Sequence, residues 1–261
     1  MNISPNQRTV LVTGAAQGLG REICLQMAAQ GWSTGVADLN NDAGEKCAKE
    51  CRQHGTDSIF VPVDLATAEG PAQMVEAAVR HFGRLDVLIN CAAHATPEAF
   101  VDMTAKVWEQ TLFVNVRAIA LATAAAGRYM SENGGGRIIN ITSPASRMAL
   151  PNYAAYAASK AAVDSLTRSA AVALAAKNIQ VNSVAPGMMD TPMQLKTEEI
   201  FAALEGQTDM ERFLAGRTAR IPIGRRTTCQ EVAKVVVWLA LDAPEYVTAE
   251  RLNISGGLDK D

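Results

Sequence analysis

Thr9-Val10-Leu11-Val12-Thr13-Gly14-Ala15-Ala16-Gln17-Gly18-Leu19-Gly20 passes from an apolar, β-branched run into a glycine-rich turn and then into a helical pattern. A strand that enters a helix this way presents the helix's first N–H groups, which lack intrahelical acceptors and sit at the positive end of the helix dipole. Such a turn suits a pyrophosphate, and glycines at 14, 18 and 20 remove the Cβ atoms that would hold the anion off. Their spacing differs from the G-x-G-x-x-G of the general dinucleotide fingerprint, so the rest of the chain must support the reading.

Outward from this turn, short apolar runs alternate with longer helical stretches. The strand-like runs are Thr9–Thr13, Ser33–Ala37, Ser58–Val63, Val87–Asn90, Arg137–Thr142, Gln180–Ala185 and Arg251–Ile254. Between them lie Leu19–Gln30, Asp42–His54, Pro71–Phe82, Ala105–Met130, Tyr153–Lys177 and Gln230–Leu241, each long enough for a crossover helix. Strands that read as continuous apolar runs belong to a sheet covered on both faces. The pattern predicts an α/β fold: a Rossmann-type, doubly wound parallel sheet of about seven strands with helices on both faces. No Pro/Gly/Ser-rich linker interrupts it, so residues 1–261 read as one domain. The rhythm breaks only at 188–228, where Glu198–Leu204 and Met210–Gly216 are short helical patches; a stretch of that length predicts a substrate-binding loop or lid.

Composition narrows the function. The 261 residues carry 24 Lys+Arg against 27 Asp+Glu, a net charge of −3, without a block of like charge that would favour nucleic acid or an anionic membrane. No apolar run has the ~18 residues of a membrane span, and MNISPNQRTV lacks the features of a secretion signal, so a soluble cytoplasmic protein is expected. Five scattered cysteines predict reduced thiols, and no His or second Cys pair accompanies Cys47 and Cys51 to complete a metal site.

Two further features point to chemistry. Asp38 ends the second strand 18 residues after Gly20, where a carboxylate accepts hydrogen bonds from an adenosine ribose and repels a 2′-phosphate. This favours NAD over NADP; Leu39 and Asn40 add no cation, and Arg21 follows directly on the glycine turn. Tyr156 and Lys160 stand one helical turn apart on the same face. An ammonium ~4 Å from a phenol, at an effective dielectric near 20, is worth roughly 4 kcal/mol, or about three pKa units. The pair therefore reads as a proton donor and acceptor tuned toward neutral pH.

With these residues in place, the chain resembles a classical short-chain dehydrogenase/reductase. Thr13-Gly14 to Gly20 matches the family's TGxxxGxG, Tyr156 and Lys160 its YxxxK, and Ser143 its catalytic serine. Asn115 in Phe113-Val114-Asn115-Val116 matches the catalytic asparagine. Asp64-Leu65 matches the adenine-contacting pair, Asn90-Cys91-Ala92-Ala93 the NNAG, and Pro186-Gly187-Met188-Met189-Asp190-Thr191 the PGxxxT that meets the nicotinamide and phosphates. The resemblance implies that Tyr156 moves the substrate proton, Ser143 fixes the substrate oxygen, Lys160 lowers the tyrosine pKa and holds the ribose, and Asn115 anchors a water of a proton relay. It implies cofactor contacts at Gly14, Gln17, Gly18, Leu19, Gly20, Asp38, Leu39, Asp64, Leu65, Asn90, Ala92, Tyr156, Lys160, Pro186, Gly187, Met189 and Thr191. Substrate contacts are expected at His94, Ser143, Ala145, Asn152, Tyr156, Met188 and Met193. Ala93 replaces the last glycine of NNAG and is tolerated if its φ is negative, while Thr248-Ala249 stands where the family has TG.

The expected activity is interconversion of a secondary alcohol, such as a polyol or sugar, with its ketone. A 3-oxoacyl-thioester reductase is the second reading, and a catalytically silent dinucleotide-binding regulator the third. Alanine-rich stretches around 118–126 and 154–176 correspond to helices that relatives use for assembly, which implies a homotetramer.

Overall fold

The structure is a computed structural model that describes residues 8–259. The N-terminal stretch read for the absence of a secretion signal lies mostly outside these residues. β1 (Thr9–Thr13) is buried throughout, with Val10 and Val12 in one apolar cluster and Leu11 in another. Successive side chains of a strand point to opposite faces, so a strand apolar along its length requires cover on both.

Helices supply it. The chain continues through α1 (Gly18–Ala29), β2 (Ser33–Asp38), α2 (Asn41–Arg52), β3 (Ser58–Pro62), α3 (Gly70–Phe82), β4 (Val87–Asn90), α4 (Ala105–Leu112) and α5 (Ala118–Glu132). It ends with β5 (Gly136–Ile141), α6 (Ala154–Leu174), β6 (Ile179–Pro186), α7 (Pro192–Leu204), α8 (Met210–Thr218), α9 (Cys229–Leu241) and β7 (Arg251–Ile254). All strand pairs are parallel, in the order β3-β2-β1-β4-β5-β6-β7. Ile23, Met27, Cys47 and Val236 from α1, α2 and α9 cover one face, and Met74, Ala122, Met130 and Ala171 from α3, α5 and α6 the other. The strand order reverses between β1 and β4, and at such a switch point the connections diverge and leave a crevice beyond the carboxyl ends of the strands.

Two stretches differ from the sequence expectation. Ala105–Met130 is not one helix: Phe113–Arg117 forms a π turn between α4 and α5, a rare register shift that turns Asn115 fully inward. In 188–228, α7 begins at Pro192 rather than Glu198. The Thr191 hydroxyl accepts the Gln194 N–H at 3.2 Å and Pro192 occupies the first turn, a strong start signal. The base of this segment is tied: Met189 bridges Thr227, and the Thr227 N–H donates to the Met188 carbonyl at 3.1 Å. All five cysteines are free thiols, three of them buried. Ala93 avoids positive φ, whereas Ala249 adopts φ 64°.

Candidate active site

The turn after β1 leads into α1 with Gln17 at the N-cap, and its side chain makes no capping hydrogen bond. The first amides of α1 are thus left for a ligand, and Gly14, Gln17, Gly18, Leu19 and Gly20 line a cleft of about 730 Å³. Gly14 adopts φ +64°, and a Cβ there would stand 2.7 Å from Ala92 Cα; a Cβ on Gly20 would meet the Gly14 carbonyl at 2.3 Å. Only glycine permits this close approach. Thr13 braces it from below, its hydroxyl accepting the N–H groups of Cys91 and Ala92 at 3.0 and 3.1 Å.

Asp38 stands at the far end of the same wall. Its carboxylate accepts the Ala16 N–H at 3.0 Å and the Asn40 N–H at 2.9 Å, which fixes it at the mouth of the cleft beside Leu39, Asp64 and Leu65. Arg21 is held by Glu50, 2.7 Å away in an ion pair. An uncapped helix N-terminus, glycines whose space a Cβ would fill and a carboxylate one strand away together fit a dinucleotide, pyrophosphate on α1 and adenosine ribose on Asp38.

The other end holds the titratable groups. Tyr156 on α6 lines the cleft beside Ser143, and burial pushes its phenol up to about 12, with Ser143 acting the other way. Ser143 caps the short turn begun by Pro144, its hydroxyl accepting the Ala145 N–H at 3.2 Å. Lys160 is buried and burial pulls its ammonium down to about 8, with Cys91 and Asp164 acting the other way. Its Nζ donates to the Ile141 carbonyl at 2.8 Å and lies 5.5 Å from the Tyr156 ring centroid. Burial is thus the largest influence on the phenol in this arrangement and acts opposite to the lowering by Lys160 that the spacing suggests.

The cleft gathers almost every expected residue: Ala92, Pro186, Gly187, Met189 and Thr191 on the cofactor wall, and His94, Ala145, Asn152, Met188 and Met193 beyond Tyr156. Two lie elsewhere. Asn90 is buried in a polar network, its amide donating to Asn140 at 2.8 Å and to Thr123 at 3.4 Å, so it supports the sheet from within and does not line the cleft. Asn115 is also enclosed. Its amide donates to the His94 carbonyl and to Ser159, and its oxygen accepts the His94 N–H at 2.7 Å. With both amide hydrogens engaged, the side chain pins the loop after β4 to α6 and has no donor for a water.

His94 is half-buried, its Nδ1 3.2 Å from the Thr111 hydroxyl, and burial lowers its pKa, with Lys196 acting the same way. Several lining residues were not anticipated. Tyr153 stacks on Tyr156 at 4.4 Å and meets the edge of Phe201 at 5.1 Å, and Arg217 and Arg220 stand at the same end. Tyr153 carries a sequence signal, three residues before Tyr156 on one helix face; the contribution of α7 and α8 depends on tertiary packing. Among the described residues no three His, Cys, Asp or Glu side chains converge as a metal site, and no helix is long and apolar enough to cross a membrane.

The chain matches the family model described as Enoyl-(Acyl carrier protein) reductase over residues 14–259. It is 34% identical over 252 residues to the cis-4-hydroxycyclohexanecarboxylate dehydrogenase of Sinomonas cyclohexanicum, covering 96% of each chain. Its fold superimposes on an actinorhodin polyketide ketoreductase variant solved with NADPH at a TM-score of 0.94, with 30% identity, 99% of this chain and 100% of that one. On NAD+-bound xylitol dehydrogenase the TM-score is 0.92, with 30% identity, 98% of this chain and 100% of that one. Whole-length similarity to such oxidoreductases, joined to the glycine turn, Ser143, Tyr156 and Lys160 in one cleft, makes this chain a member of the short-chain dehydrogenase/reductase family.

Proposed function

We propose that the protein is an NAD-dependent oxidoreductase that interconverts a secondary alcohol and its ketone. The observation that carries the reading is one cleft with the Asp38 carboxylate at one end and the Tyr156 phenol, with Ser143 and Lys160, at the other. NAD serves as hydride acceptor or donor. In oxidation the carbinol hydrogen leaves as hydride and the hydroxyl proton passes to Tyr156 Oη in its deprotonated, phenolate form, yielding the ketone; in reduction the ketone takes the hydride and the neutral Tyr156 phenol gives up its proton. Ser143 holds the substrate oxygen beside the phenol. Lys160, within the cleft at the base of Tyr156, is assigned to the nicotinamide ribose, and Asn115 positions the His94 segment. Residues 8–259 act as one catalytic domain in which 188–228 is the substrate-binding segment.

The NAD preference is supported by Asp38, held by two backbone amides, and by Arg21, whose charge is engaged by Glu50 away from a 2′-phosphate. The similarity to a polyketide ketoreductase with NADPH favours a second reading, reduction of 3-oxoacyl thioesters. A homotetramer is supported by apolar side chains left exposed on the alanine-rich helices, Val172 on α6 and Leu121 on α5 among them.

Turnover separates the readings. Absorbance at 340 nm with NAD and a panel of secondary alcohols should show NADH formation, abolished in Tyr156→Phe while NAD binding persists. Normal turnover in that variant sinks the mechanism, and activity confined to NADPH with a 3-oxoacyl thioester selects the second reading.

A further inference from the structure

At the end of the cleft remote from Asp38, the wall is a run of aromatic rings that ends on a cation. Tyr153 stacks on Tyr156 at 4.4 Å, Phe201 meets Tyr153 at 5.1 Å, and the Arg217 guanidinium lies over Phe201 at 4.8 Å. Phe213, four residues earlier on α8, stands 5.5 Å from the same guanidinium. Rings stacked on a guanidinium take its faces and leave its N–H groups free in the plane, the geometry that receives a carboxylate.

Those N–H groups are poorly satisfied within the protein. Arg217 Nε forms an ion pair with Glu198 at 3.4 Å, longer than a charge-assisted hydrogen bond, and this enclosed Nε makes no hydrogen bond. Glu198 is committed elsewhere: its two oxygens receive Arg226 Nη1 and Nη2 at 2.9 and 2.8 Å. The Arg217 side chain is 18% exposed, and burial presses against its charge. The other charged groups lining this end are Glu205 and Arg220, with Lys196 near His94. A desolvated cation with unused donors, in the wall of the cavity that holds the reacting phenol, calls for an anion from outside the chain.

We propose that Arg217 anchors a carboxylate of the substrate, so that the secondary alcohol is a hydroxy acid, and its product an oxo acid, whose carboxylate lies several bonds from the carbinol carbon. Two aromatic side chains separate the phenol from the guanidinium, which excludes 2-hydroxy acids, where one bond joins the two groups. This assignment rests on the reading of Tyr156 as the proton-transferring group.

The test is a matched series with NAD: 4-hydroxycyclohexanecarboxylate, its carboxamide, cyclohexanol and lactate. The carboxylate should exceed the carboxamide in kcat/KM by 10- to 100-fold, the size of a charged hydrogen bond, and lactate should be poor. Arg217→Met should collapse the carboxylate-to-carboxamide ratio toward one, largely through KM, and Arg217→Lys should restore part of it. An unchanged ratio in Arg217→Met, or a wild type that prefers the neutral alcohols, overturns the assignment while leaving the oxidoreductase reading intact. Calorimetric titration with 4-oxocyclohexanecarboxylate and cyclohexanone needs no turnover. If no alcohol is oxidised, the oxidoreductase reading fails, and tighter binding of the acid that disappears in Arg217→Met still identifies the anchor; equal binding of the two overturns it.

Discussion

Replacing Asp38 by alanine should alter the choice of cofactor more than it alters the fold. A ribose 2′-phosphate brought against Asp38 places like charges roughly 4 Å apart, which costs about 1 kcal/mol in water and about 4 kcal/mol at an effective dielectric of 20. Asp38 is half-buried at the mouth of the cleft, so an intermediate ~2 kcal/mol applies, or about 30-fold in the ratio of kcat/KM for NAD and NADP. The same substitution frees the Ala16 and Asn40 amides that the carboxylate now receives, and water at this open site can take its place. Loss of the ribose contact also weakens NAD, which moves the ratio in the same direction. Steady-state kinetics with both cofactors measure it, with thermal unfolding as a control for the fold. Glu50→Ala added to Asp38→Ala should release Arg21 and shift the ratio several-fold further toward NADP. A wild type that already prefers NADP, or an Asp38→Ala ratio within threefold of wild type, refutes the assignment.

Three other substitutions test the site's construction. Gly14→Ala places a Cβ 2.7 Å from the Ala92 backbone at φ +64°, which should cost about 3 kcal/mol in urea unfolding. Gly55→Ala, at φ +79° in open space, should cost about 1 kcal/mol, and equal losses would show that the Ala92 contact is irrelevant. Lys160 is held near 8, below its unfolded value of 10.5, so the unfolded chain binds the extra proton between those values and burial of the ammonium opposes folding in full below pH 8. Lys160→Met should therefore compare best with wild type near pH 7 and lose that relative stability by about pH 10.5; a pH-independent difference in unfolding free energy contradicts the burial argument. Ala249→Gly relieves a left-handed φ of 64° and should raise stability by about 0.5 kcal/mol after the entropy of the added glycine, read as an increase in Tm.

How far the chain could be read in advance depended on the range of the interactions involved. β1 and β4 begin and end where the apolar runs do, because burial on both faces writes itself into consecutive residues. The glycine turn is equally local. The π turn at Phe113–Arg117 is not, since hydrophobic periodicity continues through it; the Asn115 hydrogen bonds to His94 and Ser159 connect loop and helix over 21 and 44 residues. Asn90 illustrates the limit of motif matching. It belongs to a motif whose Ala92 lines the cleft, yet its own side chain bonds Asn140 on β5. The phenol environment was legible in identity and not in energy: helical spacing put Tyr156 and Lys160 together, but desolvation raised one pKa and lowered the other.

The recognition end shows why specificity is hardest to read and why it is well defined physically. Arg226, just before α9, reaches four points of the 188–228 segment and its base: both oxygens of Glu198 on α7, the Thr218 hydroxyl on α8, and Asp190 after β6. Glu198 is enclosed, so separating it from Arg226 leaves a buried carboxylate with only the Gln194 amide at 3.2 Å and the longer Arg217 contact, a cost on the order of 3–5 kcal/mol. The Met188–Thr227 pairing closes the segment beneath this clamp. Because Arg226 lies outside both helices, beside the Met189–Thr227 bridge, lifting α7 away from the end of β6 breaks the Glu198 ion pair, and lifting α8 away breaks the Thr218 hydrogen bond. Arg217 on α8 lies over Phe201 on α7 at 4.8 Å, so the same clamp fixes the cleft wall proposed to receive the substrate's carboxylate.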